Sequence, residues 1–471
     1  MSRPSPRSFT PLAALAVLLF SPAARADAPK EAAADPLPRR GFFGAQVAPV
    51  PPEVREREKL GQGEGVLVLA VVPGSTAEKL GLKAGDVVTA VGDAKVSTPQ
   101  GLVSLVAAKT AGDPFAFTYV RGGKAETKSD ALQARPRETG TDDYDVVYGS
   151  VESKGVRLRT LLTRPKKAPA SGKTYPALFL IQGIGSFSVE NYGRGQGAYA
   201  REIEAFARNG YVTFRVDKPG QGDSRGGPTQ DVDFETEVDG YRQGLKALKA
   251  TEGVDPDRVV VFGHSMGGVI GPILAAENPV KGIAAYGTVA RTWQEYMIEN
   301  TRRQMALAGD DFAKIDRVVR QDARIMNGLN AEGLTPAEVA KRHPELKDRI
   351  DETVQDGSYV AGRHYGFFRQ LAATNLAEAW SKFEGRALAG WGKADFVSAE
   401  ADHALIAEIV NRAHPGHGTF LVVDDSDHGF HRAGSQAESF KQSGGPGENN
   451  PAFLDAMRQW ADALVKPAAP K

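Results

Sequence analysis

Val259-Val260-Val261-Phe262-Gly263-His264-Ser265-Met266-Gly267-Gly268 is the stretch on which the reading of the whole chain turns. An unbroken apolar run of β-branched and aromatic residues reads as a buried strand, and the segment from Met266 to Glu277 reads as a helix. Only a very tight turn joins the two. Residues two before and two after the serine must then lack bulk, which Gly263 and Gly267 supply. Ser265 would stand at the head of the helix above the C-terminal edge of a sheet, an exposed hydroxyl in the strand–turn–helix context that gives G-x-S-x-G its meaning. A serine hydroxyl is a weak nucleophile alone, so a histidine and an orienting carboxylate are required elsewhere.

Outward from this turn, strands alternate with helices. Strands are expected over 146–151 and 156–163 (as a hairpin), 177–181, 211–216, 258–262, 282–286, 387–391 and 420–423. Helices are expected over 202–208, 234–249, 266–277 and 453–465. The pattern predicts an α/β domain over 146–471, with a mostly parallel sheet and helices on both faces. Between about 291 and 384 the alternation stops. That charged, helical stretch, with Tyr365, Phe367 and Phe368 near its end, is expected to form a helical cap or lid over the site, or else a solvated decoration.

These features together resemble the α/β-hydrolase fold from 146 to 465, and the resemblance implies chain order Ser, acid, His. It implies Asp395 as the acid, in the Gly392-Lys393-Ala394-Asp395 loop after a strand, with Asp402 as the alternative and a helix cap as that residue's plainer role. It implies His428 as the base, in Asp427-His428-Gly429-Phe430 after the last strand, with His431 as the alternative. His264 is expected to pack beside the turn. The oxyanion donors implied are the N–H groups of Met266 and Ile184, the latter in Gln182-Gly183-Ile184-Gly185, where Gln replaces the usual His. Asp217-Lys218-Pro219-Gly220-Gln221-Gly222-Asp223-Ser224 resembles the family's D-x-R-G-x-G-x-S loop with Lys-Pro substituted, and is read as fold identity more than chemistry. His403, His414 and His417 are read as surface residues and not as metal ligands. Gly193, Gly195 and Gly197 read as a mobile loop beside the pocket, not a phosphate cradle. No cofactor or metal is expected.

A smaller β-rich domain is expected over 41–134, with short strands, a helix over 99–109, and a polar linker over 135–145 behind it. Gly41-Phe42-Phe43-Gly44 and the motif Val72-Pro73-Gly74-Ser75-Thr76-Ala77 through Gly85-Asp86 resemble the PDZ domains of bacterial proteases. The resemblance implies a peptide-binding loop at Phe42, Phe43 and Gly44 that takes a protein C-terminus by strand addition, or a packing module whose groove is unused.

Arg3 and Arg7, the apolar run from Leu12 to Phe20 and Ala24-Arg25-Ala26 read as a signal peptide over 1–26, followed by a disordered tether over 27–40. Its apolar run is shorter than the ~20 residues of a spanning helix. Lys plus Arg and Asp plus Glu are 58 each, which removes the field that nucleic acid or an anionic membrane would need. There is no cysteine, so thiol catalysis is excluded. The expectation is a periplasmic or secreted serine hydrolase cleaving a carboxylic ester, with no nucleic-acid partner and no membrane span in the mature chain. A serine peptidase of prolyl-oligopeptidase or aminopeptidase type and a non-catalytic, PDZ-mediated binding protein are the alternatives.

Overall fold

The computed structural model describes residues 37–169, 172–191, 197–442 and 447–466. The leader over 1–26, and Gly193 and Gly195 of the Gly-rich run, lie outside the described residues.

Among the described residues the larger sheet has β1 (Tyr144–Ser153), β2 (Val156–Pro165), β3 (Tyr175–Ile181), β4 (Val212–Val216), β5 (Val254–His264), β6 (Gly282–Tyr286), β7 (Arg386–Gly392) and β8 (Gly418–Val423). They lie in the order β1-β2-β4-β3-β5-β6-β7-β8. The β1–β2 and β2–β4 pairs are antiparallel; every later pair is parallel. The central strands are apolar on both faces because each face carries helices. Phe179 and Ile181 of β3 join a cluster with Val238, Tyr241 and Leu245 of helix Phe234–Lys249. Leu178 and Leu180 join the opposite cluster, with Ile203 and Phe206 of helix Ala200–Arg208 and Met457 of helix Ala452–Val465. Each such fully buried side chain contributes about 1.5–3 kcal/mol. This is the α/β-hydrolase architecture expected of the sequence.

The insertion departs from a purely helical reading. Helices Trp293–Leu307, Phe312–Met326 and Tyr365–Ala372 are joined by three short antiparallel strands, Val354–Gln355, Tyr359–Val360 and Arg363–His364. Positive φ at Asp356, Gly357, Ala361 and Gly362 makes the two turns between them. Asp-Gly is a hairpin signal; here it is embedded in charged sequence of helical pattern.

In the smaller domain, Ala45–Pro49, Val66–Val71, Val87–Val91, Pro114–Arg121 and Lys124–Ala131 form an antiparallel sheet in that order, so Ala45–Pro49 is an edge strand. Helix Pro99–Ala107 starts at Thr98, whose side chain accepts from the Gly101 N–H, and it buries Leu102. Phe43 packs on Phe115 and Phe117 with ring centroids 5.3 and 5.0 Å apart.

Of the expected tether only residues 37–40 are described, and these, with the expected linker, are built into the domain junction. Arg39 forks to Glu190 at 2.9 Å and Asp223 at 2.6 Å, and both carboxylates are fully buried. The Arg40 N–H donates to Asp223, its guanidinium donates to the Ser224 carbonyl, and Arg159 of β2 donates to the Leu37 carbonyl. Glu138 pairs with buried Arg215 at 2.9 Å, and Tyr144 already belongs to β1. Removing one partner of a buried ionic contact costs about 3–5 kcal/mol. Limited trypsin digestion of Arg39→Ala is therefore expected to release the smaller domain under conditions in which the wild type stays intact. Equal resistance of the two proteins would place the docking energy elsewhere.

Candidate active site

At the end of β5 the chain reverses through Ser265 (φ 53°, ψ −116°) into helix Met266–Glu277. A non-glycine residue held there costs about 1–3 kcal/mol, which the surroundings must impose. Ser265 N–H donates to the Tyr286 carbonyl at 2.8 Å, while Thr288 Oγ1 and Gly268 N–H donate to the Ser265 carbonyl. The turn closes so tightly that a Cβ on Gly267 would lie 2.0 Å from the Ile181 oxygen, and one on Gly263 2.4 Å from the Gly267 oxygen.

Asp395 follows β7 and is fully buried. One carboxylate oxygen accepts from the Val397 and Ser398 N–H groups at 2.7 and 2.9 Å. The other accepts from Ser398 Oγ at 2.5 Å and pairs with His428 Nδ1 at 2.9 Å. Burial alone would raise this carboxyl, but His428 and the Ser398 donors outweigh it and hold the group far below the usual carboxylate range. Burial likewise pulls His428 down, yet the charge and hydrogen bond of Asp395 leave the imidazole above its ordinary value. A methyl group on Gly287 would meet His428 Nδ1 at 2.8 Å and Asp395 Oδ2 at 3.4 Å. Its neighbour Tyr286 holds Ser265, so all three residues gather at one strand end. No hydrogen bond joins Ser265 Oγ to His428 Nε2 among the described residues; such bonds are often long in a free enzyme and tighten with substrate.

His264 does more than fill space. Its Nε2–H donates to the His428 carbonyl at 2.9 Å, so Nδ1 is the acceptor and takes the Tyr199 hydroxyl proton, also at 2.9 Å. Tyr199 in turn accepts from the Gly183 N–H at 3.1 Å. Burial drives His264 down to about 3, so it stays neutral and the tautomer is fixed. Nothing in the sequence pairs Tyr199 with it.

Met266 N–H opens the helix after Ser265, and Ile184 N–H lies in the loop after β3. A Cβ on Gly183 would come within 3.2 Å of Ser265 Cβ, which brings this loop against the turn. Gln182, standing where a His is usual, donates from Nε2 to the carbonyls of Gly185 and Phe187 and braces the loop. The Asp217–Ser224 loop, read as fold identity more than chemistry, also touches the site: Lys218 Nζ donates to the Gly183 carbonyl at 2.6 Å.

The alternatives fall elsewhere. Asp402 is turned to the Ala290 and Arg291 N–H groups and the Arg291 guanidinium. His431 is partly exposed beside Asp427. His403 corrects its surface assignment: it is fully buried, donates from Nδ1 to the Ala399 carbonyl and accepts from the Thr288 N–H. His417 Nδ1 donates to the Glu384 carbonyl at the protein surface. In the smaller domain, Phe42 N–H donates to the Gln133 carbonyl at 2.8 Å, so this residue is not a donor for a ligand. Phe43 and Gly44 lead from there into the edge strand, with Gly44 at φ 76°.

Comparison with known proteins agrees with this architecture. A family model described as a PDZ domain matches residues 41–129, and one described as serine aminopeptidase, S33, matches residues 189–432. A probable periplasmic serine endoprotease, DegP-like, of Rhizobium meliloti (strain 1021) is 41% identical over 88 residues, 19% of this chain and 18% of that protein. A probable periplasmic serine protease, do/HhoA-like, of Haemophilus influenzae is 34% identical over 96 residues, 20% of this chain and 21% of that one. The chain thus spans about a fifth of the length of these curated relatives. Among solved structures, Est1E from Butyrivibrio proteoclasticus with ferulic acid bound is similar over 68% of this chain and 99% of its own, with 15% identity and a TM-score of 0.43. Because that family model spans residues 189–432, more than half of the chain and a stretch that includes Ser265, Asp395 and His428, the chain belongs to the serine aminopeptidase S33 family of α/β-hydrolases.

Proposed function

We propose that this chain is an exported serine hydrolase that cleaves a carboxylic ester with an apolar acyl group, through an acyl-enzyme on Ser265. The observation that carries the reading is the Asp395–His428 hydrogen bond set beside a serine held at positive φ. In this mechanism Ser265 Oγ attacks the carbonyl as His428 Nε2 takes its proton. Asp395 holds Nδ1–H and stabilises the imidazolium. The N–H groups of Met266 and Ile184 receive the oxyanion, and His428 returns the proton to the leaving alcohol. Water activated by the same base then releases the acid.

An apolar acyl group suits the apolar residues that share a core cluster with the donor residues: Met266, Val289, Tyr296 and Phe368 are buried in it, with Ile184 and Trp293 packed against it. The family's description favours a second reading, an aminopeptidase, which needs a carboxylate for the substrate amine. The acidic residues of the first cap helix have other partners. Glu295 closes a capping box with Thr292, and Glu299 bonds Arg291 and Arg303. We assign a protein C-terminus to the edge strand Ala45–Pro49, entering at Phe43 and Gly44. The leader-like 1–26 segment and the periplasmic relatives of the smaller domain support export to the periplasm or beyond. No helix among the described residues is long and apolar enough to cross a membrane.

Labelling with a fluorophosphonate tests the nucleophile. Wild-type protein is expected to label and Ser265→Ala to give no signal. Folded wild type that fails to label overturns the hydrolase reading and leaves the binding protein. On p-nitrophenyl esters and aminoacyl p-nitroanilides, turnover confined to the amides would replace the esterase with the peptidase.

A further inference from the structure

Lys218 is buried completely, at the variable position of the loop motif just before Pro219 takes the place of the usual Arg, and its ammonium has two partners. It donates to the Gly183 carbonyl at 2.6 Å and pairs with Glu237 of helix Phe234–Lys249 at 2.8 Å. Glu237, also fully buried, pairs in turn with Arg363 at 2.7 Å. Arg363 belongs to the short hairpin of the insertion and donates to the Val232 carbonyl at 3.0 Å and, over 3.4 Å, to the Ile184 carbonyl. An ionic cluster of this kind is costly to bury and stabilises little against an apolar replacement. Its position suggests another use.

The Gly183 carbonyl and the Ile184 N–H are two ends of one peptide group, and a trans peptide points them in opposite directions. A cation held on the oxygen therefore fixes the plane that aims the N–H, and draws electron density from the amide so that the N–H becomes a stronger donor. The neighbouring peptides are held as well: the one before by Gly183 N–H on Tyr199, the one after by Arg363 on the Ile184 carbonyl.

We propose that Lys218 is a positioning residue of the oxyanion site, which orients and polarises the Gly183–Ile184 peptide so that its N–H stabilises the charge developing on the substrate oxygen. The proposal deepens the hydrolase reading and rests on it. Glu237 anchors the ammonium, and Arg363 ties the cap to the same cluster, so the seat of the cap and the aim of the donor are set together.

A merely structural lysine and a polarising one differ in what they do to kcat and to its pH dependence. Burial lowers Lys218 to about 8, against the pull of Glu237 and with the push of Arg363, the charged groups that face it from the helix and the cap. The wild type should then lose kcat on a p-nitrophenyl ester as pH rises through that region, because the neutral amine no longer polarises the amide.

Lys218→Met is expected to lower kcat roughly 10- to 100-fold with KM changed little, somewhat less than the roughly 10²–10³ that follows loss of an oxyanion donor itself. Lys218→Arg keeps the charge and is expected to restore most of kcat and remove the alkaline limb. Glu237→Gln keeps the lysine but removes its anion, and should move that limb to lower pH by roughly one unit or more. Glu237→Gln also serves as the test if Lys218→Met does not fold. Ser265-dependent labelling of each variant separates the two ideas. Labelling retained, with kcat unchanged in Lys218→Met or with an unmoved limb in Glu237→Gln, overturns the role of Lys218 alone. Wild-type protein without Ser265-dependent turnover overturns both.

Discussion

Ser265→Ala is expected to lower kcat on a reactive ester by about 10⁶-fold, and His428→Ala by nearly as much, because the nucleophile and its base act as one unit. The double variant should be no worse than either single one. Asp395→Asn should cost less, roughly 10⁴-fold, since the amide leaves the imidazole in the wrong tautomer but keeps its place. Steady-state kinetics with all four proteins, each shown to be folded, decides the matter. Additive losses in the double variant would mean that the two residues do not share a step.

The same assay read against pH gives a second, independent sign. His428 must be neutral to accept a proton, so kcat/KM rises with pH through the pKa of this imidazole, which lies above the ordinary histidine value. The groups facing it are Asp395 and Asp427, which favour the charged form, and His264, which stays neutral. Asp395→Asn removes the larger attraction and leaves the burial, so the residual activity should have its acid limb at lower pH. Had Asp395 no part in holding His428, the limb would not move.

How much of this was legible from sequence follows from how far apart the partners lie. Ser265 is set by a short-range pattern, strand, glycine, serine, glycine and helix, and the parallel strands announce themselves as apolar runs. Asp395 and His428 follow because each ends a strand that already has its place in the sheet order. The supports around them are long-range polar contacts with no periodicity to betray them. Arg363 and Glu237 are 126 residues apart, and His264 and the His428 carbonyl 164 apart. Lys218 sits at a variable position of a legible motif, beside the departure at Pro219, but only the fold shows that it reaches the Gly183 carbonyl. His403 lies on a helix whose Glu400, Glu408 and Arg412 are exposed, and its burial, like that of Asp402 beside it, comes from the segment after β6, where Thr288 and Ala290 N–H groups donate to the two side chains. A Pro, a Gly and charged side chains made 135–145 look like linker, since polar composition is the same whether charges meet water or each other.

Glu138 in that segment carries the largest expected effect on stability. Its carboxylate takes both ends of the Arg215 guanidinium, at 2.9 and 3.0 Å, and accepts from the Asn191 N–H at 2.9 Å. Arg215 is on β4, completely buried between the sheet and the loop beyond β3, and donates also to the Val189 carbonyl. Glu138→Ala strands that guanidinium in the interior and leaves the Asn191 N–H without its acceptor, a loss of about 3–5 kcal/mol. Glu138→Gln keeps one acceptor and should lose less, while Glu138→Ala combined with Arg215→Met should recover much of the loss by removing the orphaned charge. Urea unfolding of the three proteins reads this out, and recovery in the double variant is the diagnostic result. A Glu138→Ala protein as stable as the wild type would show the segment to be the loose linker its composition suggests. If the losses fall as expected, the same residues that join the two domains also brace the loop in which Ile184 sits, because Asn191 and Val189 are its continuation. Docking of the smaller domain and the shape of the oxyanion site then rest on one buried set of charges.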